Sequence, residues 1–125
     1  MDHPLPPARP VVLVVEDEPL QRMDAVDLVE GLGFEAVEAT SAADAVLILT
    51  NRPDIRVVLT DIDMPNGYDG MKLAATIRDR WPPIEIIIVS GRRMPRPEEM
   101  PKRGVFFAKP YKRREVEATL RRLTP

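Results

Sequence analysis

Residues 11–19, VVLVVEDEP, contain the transition that decides the fold. Five consecutive apolar residues, all β-branched except Leu13, predict a strand that is buried on both faces of a parallel sheet. Three carboxylates follow at once, and Pro19 suits the first turn of a helix, where a backbone N–H is not needed. The sequence therefore predicts an acidic cluster at the point where a buried strand ends and a helix begins.

The rest of the chain repeats this alternation of strand and helix. Four further apolar segments are predicted strands, at 34–39, 55–61, 84–90 and 105–108. Helix-length segments with apolar residues at helical spacing follow the first three strands, and a last helix is predicted over 112–123. This order predicts βαβ units and an α/β fold with a doubly wound, five-stranded parallel sheet.

One connection departs from the pattern. Residues 90–104 read SGRRMPRPEEMPKRG, with prolines at three positions. A proline inside a helix costs roughly 3 kcal/mol, because it removes a hydrogen bond and clashes with the preceding turn. The fourth helix is therefore expected to be short or replaced by a proline-rich loop, with room for one helical turn around Arg96–Met100.

Composition narrows the possible functions. The chain has 125 residues, a net charge of −2, no cysteine and one histidine, His3. Cysteine chemistry is thus excluded, the folded part lacks a histidine base, and the charge argues against DNA binding. Residues 1–10 are expected to be a disordered proline-rich tail and residues 11–125 one domain. No membrane span or signal peptide is evident, which favours a cytoplasmic protein.

Polar residues collect where the predicted strands end, which is where ligands bind in such sheets. They are Glu16, Asp17 and Glu18 after the first strand, Asp61 and Asp63 after the third, Ser90 after the fourth and Lys109 after the fifth. Converging carboxylates need a cation to stay ionised together, and oxygen ligands without histidine or cysteine indicate Mg²⁺ or Mn²⁺. Lys109 is expected to pair with Asp61 at rest and with a phosphoryl oxygen afterwards, and Ser90 to donate its hydroxyl to another oxygen. This set suits an aspartate nucleophile that forms an acyl phosphate.

Each residue also has an ordinary structural interpretation. The acids after the first strand can be helix N-caps, Asp61 a turn former, Ser90 a cap and Lys109 a solvated side chain. The predicted site would be absent only if all of these ordinary interpretations held at once. Each residue, however, lies at the end of its own predicted strand. The functional interpretation is therefore favoured.

The sequence resembles the receiver domain of two-component response regulators over residues 11–123. The matching segments are VVLVVEDEP, LTDIDMP, IIIVSG and FFAKPY, in the order typical of that family. The resemblance implies strand order 2-1-3-4-5 and a bacterial phosphorelay protein. It would take a phosphoryl group from a sensor histidine kinase or a histidine phosphotransfer protein in a Mg²⁺-dependent reaction.

The resemblance also implies a role for each matching residue. Asp61 would be the phosphoacceptor, Asp17 a direct ligand of the cation, Glu16 a ligand through water, and Asp63 a ligand through its backbone carbonyl. Ser90 and Lys109 would contact the phosphoryl group, Lys109-Pro110 would be a cis bond, and Phe106 would be the aromatic switch residue together with Ser90.

Two features differ from the common family pattern. The segment DIDMPNGYDG is one residue longer, with Gly67-Tyr68 the expected insertion. Asp63 also adds a carboxylate two positions after the acceptor, which predicts a modified lifetime of the phosphoryl group. A rearrangement of loop 92–104 is expected to report phosphorylation.

Two other functions stay open at this point. A degenerate receiver would act as a binding module without phosphorylation. The motif Asp61-Ile62-Asp63 also resembles haloacid-dehalogenase-like phosphatases, although those place their nucleophile strand first. The expected protein is otherwise a stand-alone receiver, a monomer or weak dimer, that catalyses only its own phosphoryl transfer and hydrolysis. It would signal through a downstream protein, with the basic last helix as one possible contact surface.

Overall fold

A computed structural model describes residues 8–63 and 70–125. The strands are β1 (Val11–Val15), β2 (Glu35–Ala39), β3 (Ile55–Asp61), β4 (Glu85–Ser90) and β5 (Val105–Ala108). The helices are α1 (Pro19–Gly31), α2 (Ala42–Asn51), α3 (Gly70–Arg80) and α4 (Arg113–Leu123). Most of the predicted tail and the expected insertion at Gly67-Tyr68 lie outside the described residues.

The five strands form one parallel sheet in the order β2-β1-β3-β4-β5, as predicted. The central strands are almost fully buried because they are covered on both faces. β2 is only partly buried, which agrees with its more polar sequence and its place at an edge. β2, β4 and α4 each begin one residue later than the sequence predicted.

Alternate strand residues point to opposite faces and build two separate cores. On one face, Leu13 and Val15 pack with α2 and α3 through residues such as Leu49 and Ile77. On the other face, strand residues pack with the apolar sides of α1 and α4, which are centred on Leu28 and Leu120 respectively. This two-sided packing fixes where each strand ends and therefore where the polar residues meet.

Local signals set the ends of the helices. Ser41 is the N-cap of α2, and its hydroxyl accepts a hydrogen bond from the backbone N–H of Asp44 at 3.0 Å. Gly33 follows α1 with φ +84°, a conformation that glycine adopts without a steric penalty. In the described residues, no helix is long and apolar enough to cross a membrane.

The connection between β4 and β5 contains no α-helix, as the prolines predicted. All of residues 91–104 are described, and their only helical element is a single 3-10 turn over Pro97–Glu99. The later part of this loop is tied to the sheet by Arg78, which donates to the carbonyls of Lys102 and Ile84 at 2.9 and 2.8 Å. The loop thus replaces a helix but has its own fixed contacts.

Candidate functional site

Asp61 lies at the carboxyl end of the central strand β3 and is only 5% exposed. One carboxylate oxygen accepts a hydrogen bond from the ammonium group of Lys109 at 2.8 Å. The other accepts from the backbone N–H of Asp63 at 2.8 Å. The predicted pairing of Asp61 with Lys109 is therefore present, and both oxygens of the carboxylate have a donor.

Glu16, at the end of β1, is as buried as Asp61. Burial raises the pKa of Glu16 to about 7, and the neighbouring carboxylate of Asp61 acts in the same direction, while Lys109 opposes them. The ammonium of Lys109 lies 3.4 Å from one oxygen of Glu16, and the other oxygen is buried without a hydrogen-bond partner in the described residues. An unpaired buried oxygen is costly and indicates a missing donor or cation.

Glu16, Asp17 and Asp61 together offer three carboxylate oxygens that lie within 4.8 Å of one another. A hard divalent cation prefers such an all-oxygen set, and the unpartnered oxygen of Glu16 is available to a water of its hydration shell. These residues therefore fit Mg²⁺ or Mn²⁺. The side chain of Asp63 is not part of this cluster, and the predicted role of its backbone carbonyl stays a prediction.

Asp63 uses its carboxylate for a different purpose. One oxygen accepts the hydroxyl proton of Ser90 at 2.7 Å, and the other accepts the backbone N–H groups of Gly91 at 2.7 Å and Arg92 at 3.2 Å. Burial raises the pKa of Asp63, but these hydrogen bonds and the charge of Lys109 outweigh it, so the pKa lies below its usual value. Asp63 is thus an ionised bridge between the ends of β3 and β4.

Ser90 is 2% exposed and has two roles in this conformation. Its hydroxyl donates to Asp63, and the same oxygen accepts the backbone N–H of Arg93 at 3.0 Å. The second contact is the capping interaction that the sequence left open. Ser90 therefore lies at the site but is engaged away from Asp61.

Other residues complete the site without having been predicted. Gln21, in the first turn of α1, accepts a short hydrogen bond from the ammonium of Lys109. Arg22 donates to the backbone carbonyls of Glu16 at 3.0 Å and Asp17 at 3.5 Å, which positions the acidic turn. Of the three acids that follow β1, only Glu18 is the helix N-cap. Its carboxylate accepts hydrogen bonds from N–H groups in the first turn of α1.

A cleft of about 490 Å³ opens beside Asp61 between α1 and the chain that follows β5. Lys109, Gln21 and Tyr111 line it, with apolar side chains of the strands below. The carboxylate of Asp61 is thus slightly exposed at the bottom of a cleft. A small molecule or the side chain of a partner can reach it there.

Two predictions remain, for the Lys109-Pro110 bond after β5 and for Phe106 on β5. Lys109-Pro110 is a cis peptide bond, as the resemblance implied. Phe106, on β5, is partly buried and packs against the core on the α2 and α3 side of the sheet. Its switching role stays a prediction.

A family model for the response regulator receiver domain matches residues 12–121. The chain therefore belongs to the response regulator receiver domain family of two-component systems. Its fold agrees with that of a response regulator receiver protein from Pseudomonas putida. The TM-score is 0.81 and the identity 31%, over 92% of this chain and 98% of that chain.

Two curated relatives show in which proteins similar domains occur. The sensor histidine kinase RcsC of Escherichia coli (strain K12) is 32% identical over 84 residues, which are 67% of this chain and 9% of that protein. The phyllosphere-induced regulator PhyR of Methylorubrum extorquens is 29% identical over 113 residues, which are 87% of this chain and 41% of that protein. The chain thus spans less than half the length of either relative.

Proposed function

We propose that Asp61 accepts a phosphoryl group from a phosphohistidine in a reaction that depends on Mg²⁺. The observation that carries this proposal is the arrangement around its carboxylate. Asp61 is buried, paired with Lys109 at 2.8 Å and adjacent to the carboxylates of Glu16 and Asp17. A nucleophilic carboxylate with a cation site and a lysine on either side is suited to forming an acyl phosphate.

The transfer replaces one bond to phosphorus with another and needs no further reactant. A carboxylate oxygen of Asp61 bonds to phosphorus as the bond between phosphorus and the donor imidazole nitrogen breaks, and the imidazole leaves with that electron pair. Glu16 and Asp17 would hold a divalent cation, which would supply positive charge next to the reacting carboxylate. The ammonium of Lys109 is already at hydrogen-bond distance from Asp61, so it can follow the charge onto a phosphoryl oxygen with a small movement.

The donor is a sensor histidine kinase or a histidine phosphotransfer protein. Since the phosphorylated residue lies in an open cleft next to α1, the donor histidine enters there. The phosphorylated domain then signals by contact with a downstream protein rather than with DNA. We infer that it catalyses only its own phosphorylation and the hydrolysis of its acyl phosphate.

Phosphorylation by acetyl phosphate in the presence of Mg²⁺ tests the proposal. We expect intact-mass measurement to show one added phosphoryl group on the wild type and none on Asp61→Asn. The control Asp79→Asn makes the same chemical change on the exposed surface of α3 and should behave like the wild type. Failure of the wild type to bind either the phosphoryl group or beryllofluoride would instead favour a binding module that works without phosphorylation.

The carboxylate of Asp63 is expected to change how long the phosphoryl group lasts. It lies two residues after the acceptor and is ionised, so it affects both the approach of water and the charge near the acyl phosphate. Dephosphorylation rates of wild type and Asp63→Asn, measured after removal of the donor, check this. Equal rates in the two proteins would contradict it.

A further inference from the structure

The carboxylate of Asp63 links the chain that follows β3 to the loop that follows β4, two segments that are far apart in the sequence. It accepts the hydroxyl proton of Ser90 and the first two backbone N–H groups of the proline-rich loop, at Gly91 and Arg92. Hydrogen bonds to an ionised acceptor are roughly twice as strong as neutral ones. These three bonds therefore hold the start of loop 91–104 in one conformation.

We propose that Asp63 is a clamp that keeps Ser90 and the start of loop 91–104 in the resting state, and that a phosphoryl group on Asp61 opens it. The second half of this proposal rests on the proposed function of Asp61. Asp63 is a positioning residue in this scheme, because it acts through Ser90 and the loop rather than on the reacting atoms.

The hydroxyl of Ser90 provides the first argument. A serine hydroxyl has one proton and can donate only one hydrogen bond at a time. That proton is now on the bond to Asp63. If Ser90 is to donate to a phosphoryl oxygen on Asp61, the bond to Asp63 must break first. The resting and phosphorylated states therefore compete for the same donor.

Charge provides the second argument. The backbone N–H of Asp63 donates to the carboxylate of Asp61, so the two residues are in direct contact. Phosphorylation adds negative charge to Asp61, two residues before the ionised carboxylate of Asp63, and like charges repel. The same event that offers Ser90 a new acceptor thus weakens its present one.

The other contacts of the loop determine which of its residues move when the clamp opens. Its far end is anchored independently, because Arg78 donates to the carbonyl of Lys102 and Arg103 donates to the carbonyl of Pro82 at 2.7 Å. Neither anchor involves Asp63. Opening of the clamp is therefore expected to loosen residues 91–93 strongly and residues 102–104 little, so the loop swings from its β4 end.

Amide hydrogen exchange measured by NMR tests the clamp without any phosphoryl donor. In Asp63→Asn, whose amide cannot accept all three donors, we expect the amides of Gly91 and Arg92 to exchange about tenfold faster or more than in the wild type. The amide of Gly104, which donates to the carbonyl of Pro101, should keep its wild-type rate. Asp79→Asn, on the exposed surface of α3, should leave all of these rates unchanged. Equal rates at Gly91 in wild type and Asp63→Asn would overturn the clamp.

Beryllofluoride, which mimics the phosphoryl group, tests the release. We expect it to accelerate exchange of Gly91 and Arg92 in the wild type and to have a smaller effect in Asp63→Asn, where the clamp is already open. If beryllofluoride binds but exchange in the wild type stays slow, the release is refuted while the proposed function of Asp61 stands. If Asp61 takes neither beryllofluoride nor a phosphoryl group, the proposed function fails, while the comparison without ligand still decides the resting clamp.

Discussion

The substitution Glu16→Gln tests how the buried charge of the acidic site affects stability. Glu16 is buried beside Asp61, and one of its oxygens has no hydrogen-bond partner in the described residues. A buried carboxylate in this position favours the protonated form, and a bound cation would reverse that preference. Replacing it with a neutral amide of the same shape removes the buried charge while keeping the packing.

The magnitude follows from the pKa of Glu16, which rises from 4.5 to about 7. Each pKa unit corresponds to about 1.4 kcal/mol, so ionised Glu16 costs the cation-free protein up to about 3 kcal/mol. This cost is already net of the attraction to Lys109, which lowers the pKa of Glu16. We therefore expect the variant to be up to about 3 kcal/mol more stable than the wild type above neutral pH.

The sign of the pH dependence follows from the same comparison. A carboxyl group with a raised pKa in the folded state binds its proton more tightly there than in the unfolded chain. Its cost is therefore absent below the unfolded pKa near 4.5, grows as the pH rises, and is complete above the folded pKa of about 7. The stability advantage of Glu16→Gln should disappear at about pH 4.5.

Urea denaturation in the presence of a chelator, at about pH 5 and about pH 8, measures this difference. Addition of Mg²⁺ at the higher pH should then stabilise the wild type more than the variant, because the cation binds the folded carboxylates. An advantage that is the same at both pH values, or a less stable variant at the higher pH, would refute the reasoning about the buried charge.

Two further substitutions probe the supports of the site. Gln21→Met keeps the length of the side chain but removes the oxygen that accepts from Lys109. It should lower the free energy of unfolding by about 0.5–1 kcal/mol, and an unchanged urea midpoint would contradict this. A Cβ at Gly70 would lie 2.7 Å from the Cα of Ile62, so Gly70→Ala should destabilise by roughly 1–3 kcal/mol. The helical Gly31 meets nothing closer than 4.0 Å, and Gly31→Ala should be neutral or stabilising, so equal losses for both alanines in urea denaturation would refute the steric argument.

The fold could be predicted from the sequence because its strands are continuous apolar runs and its helix ends have clear signals. A run such as VVLVV is stable only when both faces are covered, which already requires helices above and below the sheet. The absence of an α-helix from the loop at 91–104 could also be predicted from a local signal, because prolines disrupt helices. The order of the strands could be predicted only from the resemblance to receivers, because an apolar run does not show which strands lie beside it in the sheet.

The residues at the strand ends could be predicted as a group because parallel strands deliver their carboxyl ends to one edge. The pairing of Asp61 with Lys109 was predicted in this way and is present at 2.8 Å. The carboxylate of Asp63 was predicted only as an influence on the acyl phosphate. Its contact with Ser90 depends on the register of β3 and β4, in which Asp61 is level with Val89.

Gln21 and Arg22 were missed for a different reason. A glutamine and an arginine in the first turns of a helix are ordinary surface residues, and nothing in their spacing marks them. Their roles arise from long side chains that reach back over the end of β1 to Lys109 and to the carbonyls of the acidic turn. Only the orientation of α1 over the sheet brings them to the site.

The location of the acyl phosphate tests the central claim most directly. After phosphorylation with Mg²⁺ present, borohydride reduces an aspartyl phosphate to homoserine, and peptide mass spectrometry then identifies the modified position. We predict homoserine at position 61 in the wild type, and none there when Mg²⁺ is replaced by a chelator. Modification at any other aspartate, or phosphorylation of equal extent in Asp61→Asn, would contradict the account.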